Sequence, residues 1–428
     1  MRIRTSDTPG LVVRLASLLL AAPCLAACGA GGDAEITLVR DSAGVRIVES
    51  SAPAWADDER WRVVEPPLVE IGTDQGDDAY QLFDVRGAVR LSDGRIVVLN
   101  AGTNELRWYD ATGRHQASAG GTGGGPGEFS SLDFIALLPG DSVLAFNLAP
   151  ARASLFAPDG MFVRDLPVPL PDDRMAWIGL VASGVLTGKR LVFWSQPLYG
   201  SGYNDFRDGI NRLPHPIGIA DLEHARFDSV GLAPGWDVWV EHQGRGDARM
   251  AAPPFARSSD VIGSGDQIYI APTDDFTVMV LDASGALTRI VRTPHEPVPI
   301  RSRDWDAWVA ELVELFPMPP EQRAEGNRLL AAMPVPDDLP AYRGLDVDRA
   351  GNLWLHDYPR PGLASPGARV FDSTGRWLGS VSLPAGIKRA LSREPLPFDI
   401  GADWILGIWT DAQGVERVRL YRLDKPSG

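Results

Sequence analysis

The chain has 428 residues, 44% hydrophobic and 23% charged, which is enough for a sizeable core and excludes a disordered or fibrous sequence. Its net charge of −15 argues against nucleic acid and anionic headgroups as partners. The 45 glycines and 35 prolines are spread as punctuation rather than gathered in one tract, which predicts many turns between short strands and an all-β fold.

In chain order, the first element is a targeting segment. Arg2, Arg4 and Arg14 precede the apolar run LASLLLAAPCLAAC, too short for a permanent transmembrane helix and ending in small residues, as a signal peptide does. LAAC at 25–28 resembles the lipobox of bacterial lipoproteins, which makes residues 1–27 the signal peptide and Cys28 the lipid anchor. An ordinary secretory signal is the alternative. By the same resemblance, Gly29 after the cysteine implies the outer membrane, with the body facing the periplasm or the cell surface. Cys24 would leave with the signal and Cys28 would be acylated, so no thiol remains for a disulfide, a metal or a nucleophile. Removing residues 1–27 takes away three arginines and Asp7, moving the charge from −15 to −17. Membrane contact is expected through the lipid alone, and the chain is expected to be a monomer.

Residues 28–59 read as a linker with the first strands, and 60–425 as one repeat architecture. Six apolar runs each follow a turn signal: SDGRIVVLN (92–100), PGDSVLAFN (139–147), TGKRLVFWS (187–195), GSGDQIYIAP (263–272), RAGNLWLHD (349–357) and GADWILGIWT (401–410). A second strand follows each run and a third follows in five cases. With one more strand before each turn, such as DVRGAVRL, DFIALL or YRGLDVD, the unit becomes a four-stranded antiparallel meander, and six copies predict a six-bladed β-propeller. A seven-bladed ring is the structural alternative. The sixth copy lacks an outer strand, so RWRVVEPPLVEIG (60–72) is expected to close the ring.

The glycine-rich stretch GGTGGGPGEF (120–129) has neither the G-x-G-x-x-G offsets nor a following Gly-Lys-Ser/Thr. It reads as a crossing between blades, not a phosphate cradle. GGPGEF, together with DSAGVRIVES (41–50), LSDGRIVVLN and DRAGNLWL, resembles a set of bacterial secreted and lipoprotein six-bladed propellers, distantly similar to NHL-repeat and gluconolactonase-type propellers. The resemblance spans nearly all of the mature chain and implies a fold more than a function.

The turns on one face are short, whereas the expansions at 195–216, 233–256, 294–340 and 357–367 all fall on the other, which makes that face the functional candidate. The largest carries two predicted helices (about 301–335), between blades 4 and 5. In SRDWDAWVAELVELF, Trp305, Trp308, Leu312 and Leu315 share a helix face and Ser302 is available as a cap; PPEQRAEGNRLLAAM follows. They would form a lid over the channel or pack their tryptophans on a neighbouring blade.

The six histidines, His115, His215, His224, His242, His295 and His356, show no metal-ligand spacing, there is no G-x-S-x-G elbow, and RGD at 245–247 is a short chance match. The candidate binding residues are strand-end polar groups, Asn100, Asn147, Ser195 and Asp357 with Glu128, and the aromatics Trp194, Tyr199, Tyr203 and Tyr358. The polar set would converge on a ligand or simply cap turns. The resemblance to gluconolactonase-type propellers implies one divalent ion, of the calcium type, held in the channel by Glu, Asn and Asp oxygens. The favoured reading is a non-catalytic lipoprotein that needs no cofactor and binds a protein, glycan or small-molecule ligand on the expanded face. The alternative is a metal-dependent lactonase or hydrolase with that ion in the channel.

Overall fold

The computed structural model describes residues 36–171, 179–195, 206–244, 247–315, 319–360, 366–386, 398–411 and 413–426. The expected signal peptide and Cys28 lie outside the described residues, and the compact unit begins at Ile36. In chain order, β1 (Thr37–Ser42) and β2 (Val45–Ser50) form a hairpin, and β3 (Arg62–Ile71) follows alone. Two four-stranded meanders come next. They are β4 (Val85–Arg90), β5 (Ile96–Asn100), β6 (Glu105–Tyr109) and β7 (His115–Gly120), then β8 (Leu132–Leu137), β9 (Val143–Asn147), β10 (Arg152–Phe156) and β11 (Phe162–Pro167). A longer run has β12 (Leu180–Leu186), β13 (Arg190–Ser195), β14 (Gly209–Asp221), β15 (Arg226–Gly244) and β16 (Asp247–Ala251). After it stand β17 (Ser259–Gly265), β18 (Gln267–Pro272), β19 (Thr277–Asp282) and β20 (Leu287–Arg292). Two helices, α1 (Ser302–Leu315) and α2 (Pro320–Ala332), precede β21 (Tyr342–Val347), β22 (Leu353–Asp357), β23 (Gly367–Phe371) and β24 (Trp377–Ser382). The chain finishes with β25 (Asp399–Ile400), β26 (Trp404–Thr410) and β27 (Glu416–Asp424).

This is an all-β propeller built from antiparallel meanders. Strands such as β5 and β9 are buried at every position, because a neighbouring sheet covers each of their faces. That is why they read as continuous apolar runs instead of alternating ones. The core is accordingly divided into wedges between consecutive meanders. Val97, Leu99 and Trp108 pack against Leu132, Val143 and Phe156, for example, and Leu144, Phe146 and Leu155 against Leu191, Phe193 and Ala220.

Four sheets stand as separate four-stranded blades, where the repeat count predicts six. The remaining strands belong to one eleven-stranded sheet in which β12 runs parallel to β17, pairing Gly184 with Gly263 and Leu186 with Gly265. The two glycines explain the fusion. A Cβ on Gly184 would lie 2.0 Å from the carbonyl oxygen of Gly263, so only glycine lets these backbones approach closely enough to bond. The β1–β2 hairpin is added to the same sheet through parallel pairing of β2 with β20. β3 pairs antiparallel with β27, from Val418 opposite Ile71 to Asp424 opposite Arg62, so the first and last parts of the described chain share one blade.

The segments expected as loops at 195–216 and 233–256 are in large part strand. β14 and β15 extend their hairpin well beyond the ring, and Leu213, Trp236, Val238 and Val240 give the extension a small core of its own. The helical segment leans on this extension. Phe255 lies 6.0 Å from Trp308, and Arg249 and Arg328 bridge Glu325 of α2 to Glu241 of β15. Asp304, 3% exposed, accepts the Arg301 amide at the start of α1. Among the described residues neither helix lines the axial cavity, and of the two arrangements expected from the sequence, lid or packing on a neighbour, these contacts favour the second, a buttress on the neighbouring hairpin.

Candidate functional site

The candidate residues taken from the sequence are placed mostly in structural roles. Asn100 is fully buried; its Oδ1 accepts the Phe83 amide (2.7 Å) and its Nδ2 donates to Thr103 Oγ1 (2.8 Å). Asn147 is equally buried, with Oδ1 accepting the Ser130 and Ser131 amides and Nδ2 donating to the Pro150 carbonyl. Each fastens the end of one strand to the entry of the strand beside it, which is the turn-capping role. Trp194 is buried and stacked on His215 at 4.7 Å, and Ser195 is buried beside it in sequence. Glu128 is exposed and accepts the Gly125 amide (2.8 Å); a Cβ on Gly123 would meet its carboxylate, so the glycine-rich crossing wraps this side chain. Asp357 and Tyr358 are half-buried at the end of β22, where burial pushes the Asp357 carboxyl up and Arg369 opposes the shift. Tyr199 and Tyr203 lie outside the described residues. None of the seven described candidates lines the axial cavity.

That cavity, about 500 Å³, runs between the inner strands β4, β8, β12, β17 and β21 and the start of β25. Part of its polar lining arises from a repeated backbone device. The pairing of β4 with β5 skips a residue between Val85 and Gly87, that of β8 with β9 between Leu132 and Phe134, and that of β12 with β13 between Ala182 and Gly184. The extra residues are Arg86, Asp133 and Ser183, and all three line the cavity. A bulge re-aims one side chain without breaking the strand, so three inner strands turn a polar group inward where simple alternation would not. β21 skips at the corresponding place, Arg343. The signal was present in the sequence as VRG, LDF and YRG near the strand starts, but pairing register is required to see it.

The charges fall into three groups. Arg86 ion-pairs with both Asp84 and Asp133, and burial still holds the Asp133 carboxyl above its ordinary range. Asp399 accepts from Arg349 at 2.7 and 2.8 Å and from the Arg90 amide, yet desolvation pushes it up as well. Between them, Asp346 on β21 receives His356 Nε2 at 2.7 Å, and Asp260 on β17 accepts the Leu345 amide at 2.7 Å. Burial raises both carboxyls, Asp260 to about 7, with the neighbouring charge of Asp346 adding to the desolvation. Phe398 stacks on His356 at 5.2 Å and also lines the cavity. The buried atoms without a hydrogen-bond partner include the Ser183 hydroxyl on the cavity wall and Nδ1 of His356, the partner of Asp346.

No protein-family model matches this chain, and no curated protein does. Among solved structures, it is similar to a putative exported protein from Bacteroides fragilis at 12% identity and a TM-score of 0.47, covering 89% of this chain and 99% of that one. A member of the DUF4221 family from Bacteroides vulgatus matches at 8% identity with a TM-score of 0.47, over 86% of this chain and 99% of that one. A gluconolactonase from Xanthomonas campestris matches at 13% identity with a TM-score of 0.39, over 84% and 99%.

A calcium-type ion needs several oxygen ligands converging on one point. Here the side-chain oxygens of Asn100 and Asn147 are each held by backbone amides, and neither residue reaches the cavity. Among the described residues no three His, Cys, Asp or Glu side chains gather closely enough to hold a metal. Asn100 and Asn147 are therefore not placed to hold, in this cavity, the ion implied by the resemblance.

Proposed function

We propose that this chain is an exported, lipid-anchored propeller of six blades that binds a small solute in its axial cavity without transforming it. The cavity carries the reading. Polar side chains brought inward by strand bulges, one of them an unpartnered buried hydroxyl, are what a binding wall needs and what a filled core avoids. The six-blade count is supported by the six inner strands around the cavity and by six wedge cores between successive meanders, with the eleven-stranded sheet read as two blades fused through Gly184 and Gly263. A non-catalytic role is supported by the fastening of Asp133, Asp260 and Asp399 in ion pairs and hydrogen bonds from backbone amides, which hold a shape instead of leaving a carboxylate free to move protons. Cys28 would anchor the body to the outer membrane, and a monomer suffices because the cavity is complete within one chain.

Ser183→Phe tests the site. The larger side chain should fill the cavity and abolish binding of small solutes in a fragment screen read by calorimetry, while the thermal midpoint stays within a few degrees. Fragment binding that persists unchanged in the filled variant would refute the axial site.

A further inference from the structure

The charges on the cavity wall are unevenly matched. Arg86 is already held by two carboxylates, Asp84 and Asp133, so it offers little to an anionic ligand. Arg349 is occupied by Asp399 in a two-point contact. Asp346 lines the cavity with no guanidinium partner; it accepts from His356 Nε2 and from the Phe398 backbone amide. A carboxylate has about four acceptor sites, so Asp346 retains capacity for a further donor. Ser183 Oγ, 6% exposed and unpartnered, supplies another acceptor on the same wall. The β12–β17 backbone pairing and the Asp260–Leu345 bond hold β12, β17 and β21 side by side at this depth. Around these polar atoms the lining is apolar, with Phe134, Ile135, Leu148, Val181, Ile262 and Phe398.

We infer that the cavity takes a compact organic cation, a protonated amine on an apolar body, with Asp346 receiving the ammonium and Ser183 Oγ accepting a further hydrogen bond. The inference rests on the axial-cavity reading above and adds the ligand's charge. An ammonium donates from several directions and fits a carboxylate whose other bonds are already set, whereas an anion would meet Asp133, Asp346 and Asp399 together. Burial that makes a lone Asp346 carboxylate costly also makes its pairing with a desolvated cation strong. His356 then acts as a positioning residue, holding the Asp346 carboxylate toward the cavity.

The test compares benzylamine, benzyl alcohol and benzoate, which share a body and differ in charge, by calorimetry on the full chain in nonionic detergent at neutral pH. Benzylamine should bind at least about tenfold tighter than benzyl alcohol, and benzoate should bind weakest. Asp346→Asn should reduce the benzylamine affinity to about that of the alcohol. Ser183→Ala, which only removes an unpartnered hydroxyl and should fold as the parent does, should weaken benzylamine by about threefold to tenfold. Equal binding of all three probes, or an amine preference that survives both substitutions, would overturn the cation assignment and leave the cavity standing. If no probe binds the parent chain, the cavity reading and the cation assignment both fall.

Discussion

Aspartate does opposite things at the rim of this propeller and along its axis. At the short turns DATG, DASG and the turn after β26, Asp110, Asp282 and Asp411 stay partly open to water and fold a carboxylate oxygen back onto the amides two and four residues on. Hydrogen bonds, from Thr112 to Asp110, from Ser284 to Asp282 and from the Val415 amide to Asp411, favour the ionised form and hold all three carboxyls below their ordinary range. On the axis, Asp260, Asp346 and Asp399 also accept hydrogen bonds, but desolvation outweighs them and the carboxyls are pushed up. One residue type thus stabilises the rim when ionised and burdens the axis when ionised. Solvent access decides which effect dominates.

The largest expected effect comes from opening the ring itself, because both regions depend on closure. Deleting residues 36–72 removes β1, β2 and β3 and leaves β27 paired with β26 alone, with Val69 and Ile71 lost from the core shared with β4. The thermal midpoint followed by circular dichroism should fall by more than about 10 °C, or the cooperative transition should vanish. A midpoint equal to the parent's would mean that closure by β3 does not hold the ring.

Asp260→Asn sharpens the contrast at the axis. The folded carboxyl titrates near 7, above its unfolded value, so its contribution is fully present below about pH 4 and is lost as pH rises toward 7. Asparagine can still accept the Leu345 amide and carries no charge. Urea unfolding should therefore show the variant gaining on the parent by up to about 1.4 kcal/mol per pH unit between pH 5 and 7. A difference that stays flat with pH would break the comparison.

The rim should respond with the reverse sign and less strongly. Asp282→Ala removes the acceptor for the Ser284 and Ala286 amides, and should lower the midpoint by about 2–4 °C at pH 7. Because the parent carboxyl is depressed, its contribution is present above the unfolded pKa of about 4 and is lost as pH falls through the folded value. The gap between variant and parent should narrow progressively in melts taken below pH 4.

The smallest effect is expected where charges are paired in open solvent. Arg328→Ala breaks the contacts to Glu325 and Glu241 that tie α2 to the β15 extension, yet both partners are half exposed. The global midpoint should move by about 1 °C or less, while limited proteolysis should cut the helical segment faster. A larger loss would make the buttress part of the ring's core.

The sequence by itself settled what is local. Turn glycines and aspartates, apolar runs of strand length, and a repeated order of turn and strand are written within a few residues of one another, so meanders, helices and the closing candidate at 60–72 could be read directly. It could not show how its candidate residues are held. Asn100, Asn147 and Ser195 look like free polar groups at strand ends, but the backbone amides that hold the two asparagines come from other segments, 17 residues away for Phe83 and Ser130. His356 shows no spacing signal because its partner Asp346 lies on the preceding strand and its burial comes from Phe398, on another blade. Only tertiary structure decided which aspartates lose water, which strands carry a bulge, and that glycines 184 and 263 would merge two meanders into one sheet. Solvation and close backbone approach are set by neighbours distant in sequence, and no local pattern encodes them.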